Sequence, residues 1–454
     1  MLKYNKLMKF YLAKAILINR APFNKLELSF NENEVAILSA INGKGKTTIL
    51  SHIADAFHEF AKPYFPMSFE GRESKYYRIS SSIFNLDNSK PSIVYLRFRL
   101  GEEYIDYVDI RNDCSEEQYN SYIEISDKIP FGYFNHELKE ANNVKKCSEN
   151  LDKSKVELIF RNNVIGYFPS YRFEEPGYLN DPYKVKLNFR SKSDYSGSLP
   201  NKIEVVSGLP ELADWIMDLV LDLRDEKSEN DFKSFSNLNQ IITAALSGKN
   251  FGNLSFGVGK RLLRGTRIRI VKTTDRTTVY PNIFNISSGE AALLSLFGEV
   301  LRQADNNLIN IELNQIKGIV LVDEVDKHLH IKLQKEVLPK LFELFPNIQF
   351  IVSSHSPFLS MGLAESNSDR SKIIDLDRDG IIAEATTNDL YDEVYKMMIS
   401  ENDRFKSQLE TLKSEIKEIK NTIVITEGKT DAVILQKALK MLDFPTFGRP
   451  TIVK

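Results

Sequence analysis

A glycine-lysine loop, Ala40-Ile41-Asn42-Gly43-Lys44-Gly45-Lys46-Thr47-Thr48, lies between the apolar run Val35-Ala36-Ile37-Leu38 and a helical stretch over 46–61. Strand, glycine turn and helix in that order gather the helix's unpaired N–H groups and its positive dipole end at one point, where an anion is favoured. Glycines at 43 and 45 allow the backbone to curl with its amides inward. Lys46 is placed to reach β and γ phosphates, and the Thr47 hydroxyl to ligate Mg²⁺. Ala40 stands where the usual pattern has its first glycine. Asn42, Gly43, Lys44, Gly45, Lys46, Thr47 and Thr48 are thus candidate nucleotide contacts, with ATP and Mg²⁺ the ligands this chemistry suits.

A second element supplies acid. Ile319-Val320-Leu321-Val322 reads as a buried strand delivering Asp323 and Glu324 at its C-terminal end, the edge where open α/β sheets bind ligands. Asp323 is placed to hold Mg²⁺ through water, and Glu324 to act as general base on the attacking water. Ser287, Ser288 and Gly289 precede an apolar helix; they form either a second anion site or an ordinary helix cap. His355 follows the buried strand 348–352, where it either senses a γ-phosphate or closes a structural loop.

Alternation over 10–30 around Asn19-Arg20-Ala21-Pro22 predicts two antiparallel strands. Residues 63–163 predict an inserted, mostly β region with long loops. Strands are expected at 164–168, 316–322 and 348–352, a strand pair at 257–272, and helices at 209–223, 232–246, from Gly289 onward and at 331–345. Residues 373–385 suit a hairpin turning at Asp379-Gly380. Strands alternating with helices argue for a largely parallel sheet covered on both faces. Residues 388–420 predict one long charged helix or helix pair, followed by a strand at 422–426 and a loop with a helix at 427–442.

The 454 residues allow two or three domains. No run approaches the roughly 18 to 20 apolar residues of a membrane span. The first ten residues carry no apolar signal core. Cys114 and Cys147 share no metal or redox spacing, so a reducing cytoplasm is expected. With a net charge of −2, any nucleic-acid contact needs a local basic patch. Lys260, Arg261, Arg264, Arg267, Arg269 and Lys272 form such a stripe, which could track phosphates, face solvent, or contact ATP or a subunit partner.

In chain order, the loop, the serine-glycine turn, the acidic strand and the histidine resemble the head of ABC-class ATPases. Within that class they are similar to the RecF/SMC-like group. They look most like the ATPase part of OLD (overcoming lysogenisation defect) nucleases and the ATPase subunits of phage-defence systems such as PARIS or Septu. The segment Asp323-Glu324-Val325-Asp326-Lys327-His328-Leu329-His330 carries much of the likeness, with Asp326 as the D-loop aspartate. The resemblance implies an α/β head, a mixed β lobe plus a parallel sheet with helices on both faces. It implies ATP hydrolysis by a homodimer or higher homo-oligomer, with Ser287 and Gly289 of one chain completing a composite site on Lys46 of another. It also implies a separate effector, a nuclease or toxin. The group's Q-loop glutamine is absent; the equivalent turn ends at Arg172, which either touches nucleotide or anchors the loop.

Val424-Ile425-Thr426-Glu427-Gly428-Lys429-Thr430-Asp431 resembles the opening of a TOPRIM domain, with Glu427 as its metal-site glutamate. One carboxylate does not hold a catalytic metal pair, so nuclease activity is not expected from this chain alone. The expected organisation is a head over 1–387 with an inserted region near 63–250, a charged helical linker over 388–420, and an incomplete TOPRIM-like strand-helix over 421–454. Two other readings are a shortened OLD-like nuclease and a RecF/SMC-like DNA-repair ATPase.

Overall fold

The computed structural model describes residues 8–69, 84–172, 197–225, 229–259, 268–307, 312–366, 368–386, 389–418, 423–425, 429–441 and 451–453. They divide into two compact units, Met1–Tyr391 and Asp392–Lys454.

The first unit opens with β1 (Phe10–Arg20) and β2 (Phe23–Ser29), an antiparallel hairpin, then β3 (Val35–Ser39) and α1 (Lys46–Ala61). Next come β4 (Ser92–Leu100), β5 (Glu103–Arg111), α2 (Glu116–Tyr122), α3 (Asn135–Ala141) and β6 (Asn143–Cys147). Five strands pair in the order β2-β1-β4-β5-β6. The segment expected as an insertion therefore supplies three of the five strands, because β4 pairs along β1 from Phe10↔Leu100 to Ile18↔Ile93. Period-2 patterning identifies a strand but not its partner, so this long-range pairing leaves no local signal. Tyr119 of α2 and Leu138 of α3 pack with Tyr95 and Val108 on one face of this sheet.

The chain continues through α4 (Lys153–Asn162), β7 (Val164–Phe168), α5 (Leu209–Asp225) and α6 (Glu229–Ala245). A small antiparallel sheet follows, β8 (Leu254–Val258), β9 (Ile268–Lys272) and β10 (Thr278–Tyr280). The unit is completed by α7 (Ser288–Asn306), β11 (Lys317–Val322), α8 (Leu338–Glu343), β12 (Asn347–Ser354), α9 (Pro357–Ser366), β13 (Ser371–Asp375) and β14 (Ile381–Ala383).

Six strands build the central sheet in the order β14-β13-β3-β12-β11-β7, parallel except at the edge strand β14. Every residue of β3, β7 and β11 is buried, as parallel strands covered on both faces require. Alternate side chains sort into two cores. Val35, Ile37, Val320 and Val322 join α5, α6, α7 and α8, whereas Ala36, Leu38, Ile319 and Leu321 join α1, α4 and the antiparallel sheet. At Gly318 φ is +145°, and a Cβ there would lie 1.9 Å from the Val164 carbonyl oxygen. Only glycine lets β11 approach β7 so closely.

The helix expected over 331–345 forms over 331–343, but with a π-helical turn, Leu333–Val337, leading into α8. Pro339 accounts for this, since it donates no N–H and its ring crowds the carbonyl four residues back, that of Lys335.

The second unit holds most of α10 (Asp389–Glu418), with β15 (Ile423–Ile425), α11 (Lys429–Met441) and β16 (Thr451–Val453). β15 and β16 pair in parallel. Glu427 lies outside the described residues. No helix among the described residues is long and apolar enough to cross a membrane.

Candidate active site

The central sheet brings the separated motifs together. β3, β12 and β11 are neighbours, with Ser39 opposite Ser354 and Val322 opposite Val352. The glycine loop, His355 and the acidic pair therefore leave the same end of the sheet. They line a cleft of about 340 Å³ formed by Ala21, Pro22, all seven residues from Asn42 to Thr48, Asp323, Glu324 and His355.

The loop is shaped by its two glycines, with φ of +83° at Gly43 and +81° at Gly45. A Cβ on Gly45 would lie 2.5 Å from the Phe23 ring and 2.6 Å from Pro22, so the β1–β2 turn presses directly on the loop. Lys46 Nζ donates to the carbonyls of Ala40 at 2.6 Å and Ile41 at 3.0 Å, and lies 3.5 Å from His355 Nδ1. Burial lowers the Lys46 pKa, and the nearby carboxylates of Asp377 and Asp323 oppose that shift. Burial and then the Lys46 charge lower the pKa of His355. Its imidazole is accordingly neutral at neutral pH. With an ammonium facing Nδ1, the ring proton belongs on Nε2.

Asp323 is nearly fully buried, and both its carboxylate oxygens are engaged. Oδ2 accepts from Thr47 Oγ1 at 2.8 Å, and Oδ1 from Ser353 Oγ at 2.5 Å. Ser353 Oγ in turn accepts the Glu324 N–H at 2.7 Å. Glu324 adopts φ of +49°, a left-handed conformation that costs a non-glycine residue on the order of 1 kcal/mol. Arg172 donates to the carbonyls of Asp323 and, at 2.8 Å, of Glu324. Serine on one side and arginine on the other hold this turn against its strain. Of the two roles open to Arg172 from sequence, these bonds supply the anchor. Ser353 carried no comparable signal; only the adjacency of β12 and β11 reveals it.

Ser287 caps α7 through a reciprocal capping box with Glu290. Its Oγ donates to Glu290 Oε2 at 2.6 Å, and Lys249 Nζ lies 2.8 Å from the same carboxylate. Ser287 and Ser288 are exposed. Gly289 is buried, and a Cβ on it would meet the His328 carbonyl oxygen at 2.7 Å. None of these three residues lines the cleft that holds Lys46 of the same chain. Ser288 borders a different hollow, with Arg172, Lys327 and His328. Asp326 Oδ2 accepts the His355 N–H at 3.4 Å, while its buried Oδ1 has no hydrogen-bond partner.

Of the basic stripe, Arg269 lies on β9, against Gly257, and donates to Thr278 Oγ1 at 3.4 Å. Lys260, Arg261, Arg264 and Arg267 lie outside the described residues.

Residues 150–362 match a family described as "AAA domain, putative AbiEii toxin, Type IV TA system". That span contains Asp323, Glu324 and His355, and the glycine loop lies before it. The chain is 25% identical over 392 residues to the "Retron Vc95 probable ATPase" of Vibrio cholerae serotype O1 biovar El Tor, covering 78% of this chain and 71% of that protein. This chain is an ATPase. The ATPase is also 26% identical over 153 residues to the "Septu protein PtuA" of Bacillus mycoides (strain KBAB4), covering 31% of this chain and 20% of that protein. Among solved structures, an SMC head bound to the C-winged helix domain of ScpA overlays with a TM-score of 0.41 at 17% identity, covering 80% of this chain and 93% of that one.

Proposed function

We propose that the ATPase hydrolyses Mg²⁺-ATP in composite sites between two copies, and that it is the sensor and scaffold ATPase of a cytoplasmic anti-phage defence system acting with a separate effector. The observation that carries the catalytic half is the 2.8 Å contact of Thr47 Oγ1 with Asp323 Oδ2, in the cleft shared by Lys46, Glu324 and His355. A hydroxyl and a carboxylate at that separation are the oxygen donors a Mg²⁺ ion takes, Asp323 acting through water. The ion's contribution is to neutralise charge on the β and γ phosphates.

Each remaining step falls to a side chain or amide of this chain. Amides of Gly43 to Thr48 and the Lys46 ammonium bind the phosphates. Glu324 receives the proton of the attacking water. Nε2–H of His355 donates to the γ-phosphate. Ser287, Ser288 and Gly289, none of which lines their own cleft, set the Ser288 and Gly289 N–H groups at the start of a long helix to meet a partner's γ-phosphate. The unpaired Oδ1 of Asp326 suits a contact across the same interface.

A mixing experiment tests the composite site. Ser288→Glu places a negative charge where a partner's phosphate would dock, yet a glutamate in the first turn suits the helix dipole and leaves the fold intact. Ser288→Glu and Lys46→Ala chains should each be inactive. Mixed, they should recover a measurable fraction of native ATPase activity, because one site per pair then has both halves intact. A mixture as dead as its parts overturns the shared site.

The defence role rests on the retron and Septu names of the relatives. Co-purification with the product of the neighbouring gene is expected. An ATPase that runs alone in every preparation counts against an effector partner.

A further inference from the structure

We propose that Asp377 is a positioning residue for the phosphate loop, clamping the loop's start to its apex; this rests on reading that loop as the ATP site. Asp377 lies in the tight turn Leu376–Arg378 just past β13. β13 runs parallel beside β3, with Asp375 opposite Ser39, so the two chains leave the sheet side by side. The Asp375 carboxylate accepts the Asp377 N–H at 3.0 Å, which fixes the turn and aims Asp377 at the loop.

Two contacts span the loop. Asp377 Oδ2 accepts the Ile41 N–H at 2.9 Å. Oδ1 faces Lys44 Nζ at 3.4 Å, an ion pair without hydrogen-bond geometry, and the Asp377 side chain is only 8% exposed. Ile41 opens the loop. Lys44 sits between Gly43 and Gly45, both with positive φ, at the point where the backbone is least restrained by its own residues. Lys46 holds the same start of the loop by donating to the Ala40 and Ile41 carbonyls. Asp377 is thus the outer of two ties on a loop whose usual first glycine is Ala40.

The value of such a tie is preorganisation. A glycine loop that must order around its ligand loses conformational entropy on binding, and a loop already held loses less. A bare carboxylate beside a triphosphate would repel it, but Lys44 offsets that charge. The clamp therefore acts on nucleotide affinity and leaves the water-activating residues untouched.

Asp377→Ala, measured by steady-state hydrolysis and by fluorescent-nucleotide titration, should raise KM and Kd for ATP about 10-fold with kcat within about twofold, the scale of one charge-assisted hydrogen bond. Asp377→Asn keeps an acceptor for Ile41 but not the charge, and should raise both by about threefold. A KM within twofold of native for Asp377→Ala, or a loss confined to kcat, overturns the clamp. If Asp377→Ala does not fold, the near-isosteric Asp377→Asn carries the test, and native KM and Kd overturn the proposal. Lys46→Ala is run alongside. If that variant binds and hydrolyses ATP normally, the ATP-site reading itself has failed; if it is dead while both Asp377 variants are native, only the clamp has.

Discussion

Glu324→Gln should retain ATP and slow its hydrolysis by about two to four orders of magnitude, the usual contribution of a positioned general base. Glutamine has nearly the same shape but no basic oxygen, so the bound water is no longer deprotonated. The turn itself should survive, because its restraints do not involve the carboxylate. Ser353 Oγ accepts the backbone N–H of residue 324, and Arg172 donates to the carbonyls of residues 323 and 324. A single-turnover assay should therefore show bound, uncleaved ATP. Mass measurement with ATP should show a larger population of paired chains than the native protein gives, since hydrolysis no longer releases the pair. Native-rate turnover by this variant would remove Glu324 from the mechanism.

Lys46→Ala should lose nucleotide binding by at least about 100-fold, the scale expected when a buried charge-assisted contact to phosphate is removed. Thermal melting separates this from misfolding. Without nucleotide the variant should melt close to the native protein, because relief of the ammonium's burial cost offsets the loss of its hydrogen bonds to the Ala40 and Ile41 carbonyls. With saturating ATP the native protein should melt higher, by linkage of binding to folding, and the variant should not. An equal ATP-induced rise in both would show that the nucleotide binds without Lys46.

Much of the site is legible in the linear chain because its chemistry depends on contiguous residues. Gly43, Gly45, Lys46 and Thr47 suit a phosphate only in that spacing, and α1 begins at Lys46 as the pattern requires. Asp323 and Glu324 follow an apolar run that can only be a buried strand, and β11 is buried throughout. The Asp379-Gly380 turn likewise sets the β13–β14 hairpin, with Asp375 paired to Ile381. Local steric and hydrogen-bonding preferences are enough for these features.

Other features arise from contacts between distant segments. Ser353 matters because β12 lies beside β11. Asp377 matters because β13 lies beside β3. Arg172 meets the acidic turn because β7 pairs with β11 on its far side. Strand order depends on which buried faces and crossovers close the sheet, so these neighbours are invisible to spacing. The same holds for β4, read as inserted yet paired along β1, and for the π-helical turn, where Pro339 and the packing of Gly362 against Lys335 decide against a regular helix. By itself the sequence determined which residues suit an anion and a cation, because backbone freedom at glycine and charge at lysine and aspartate are properties of single residues and their near neighbours. Only the tertiary structure decided how those charges are held and aimed, because hydrogen bonds a few ångströms long join residues as far apart as Thr47 and Asp323.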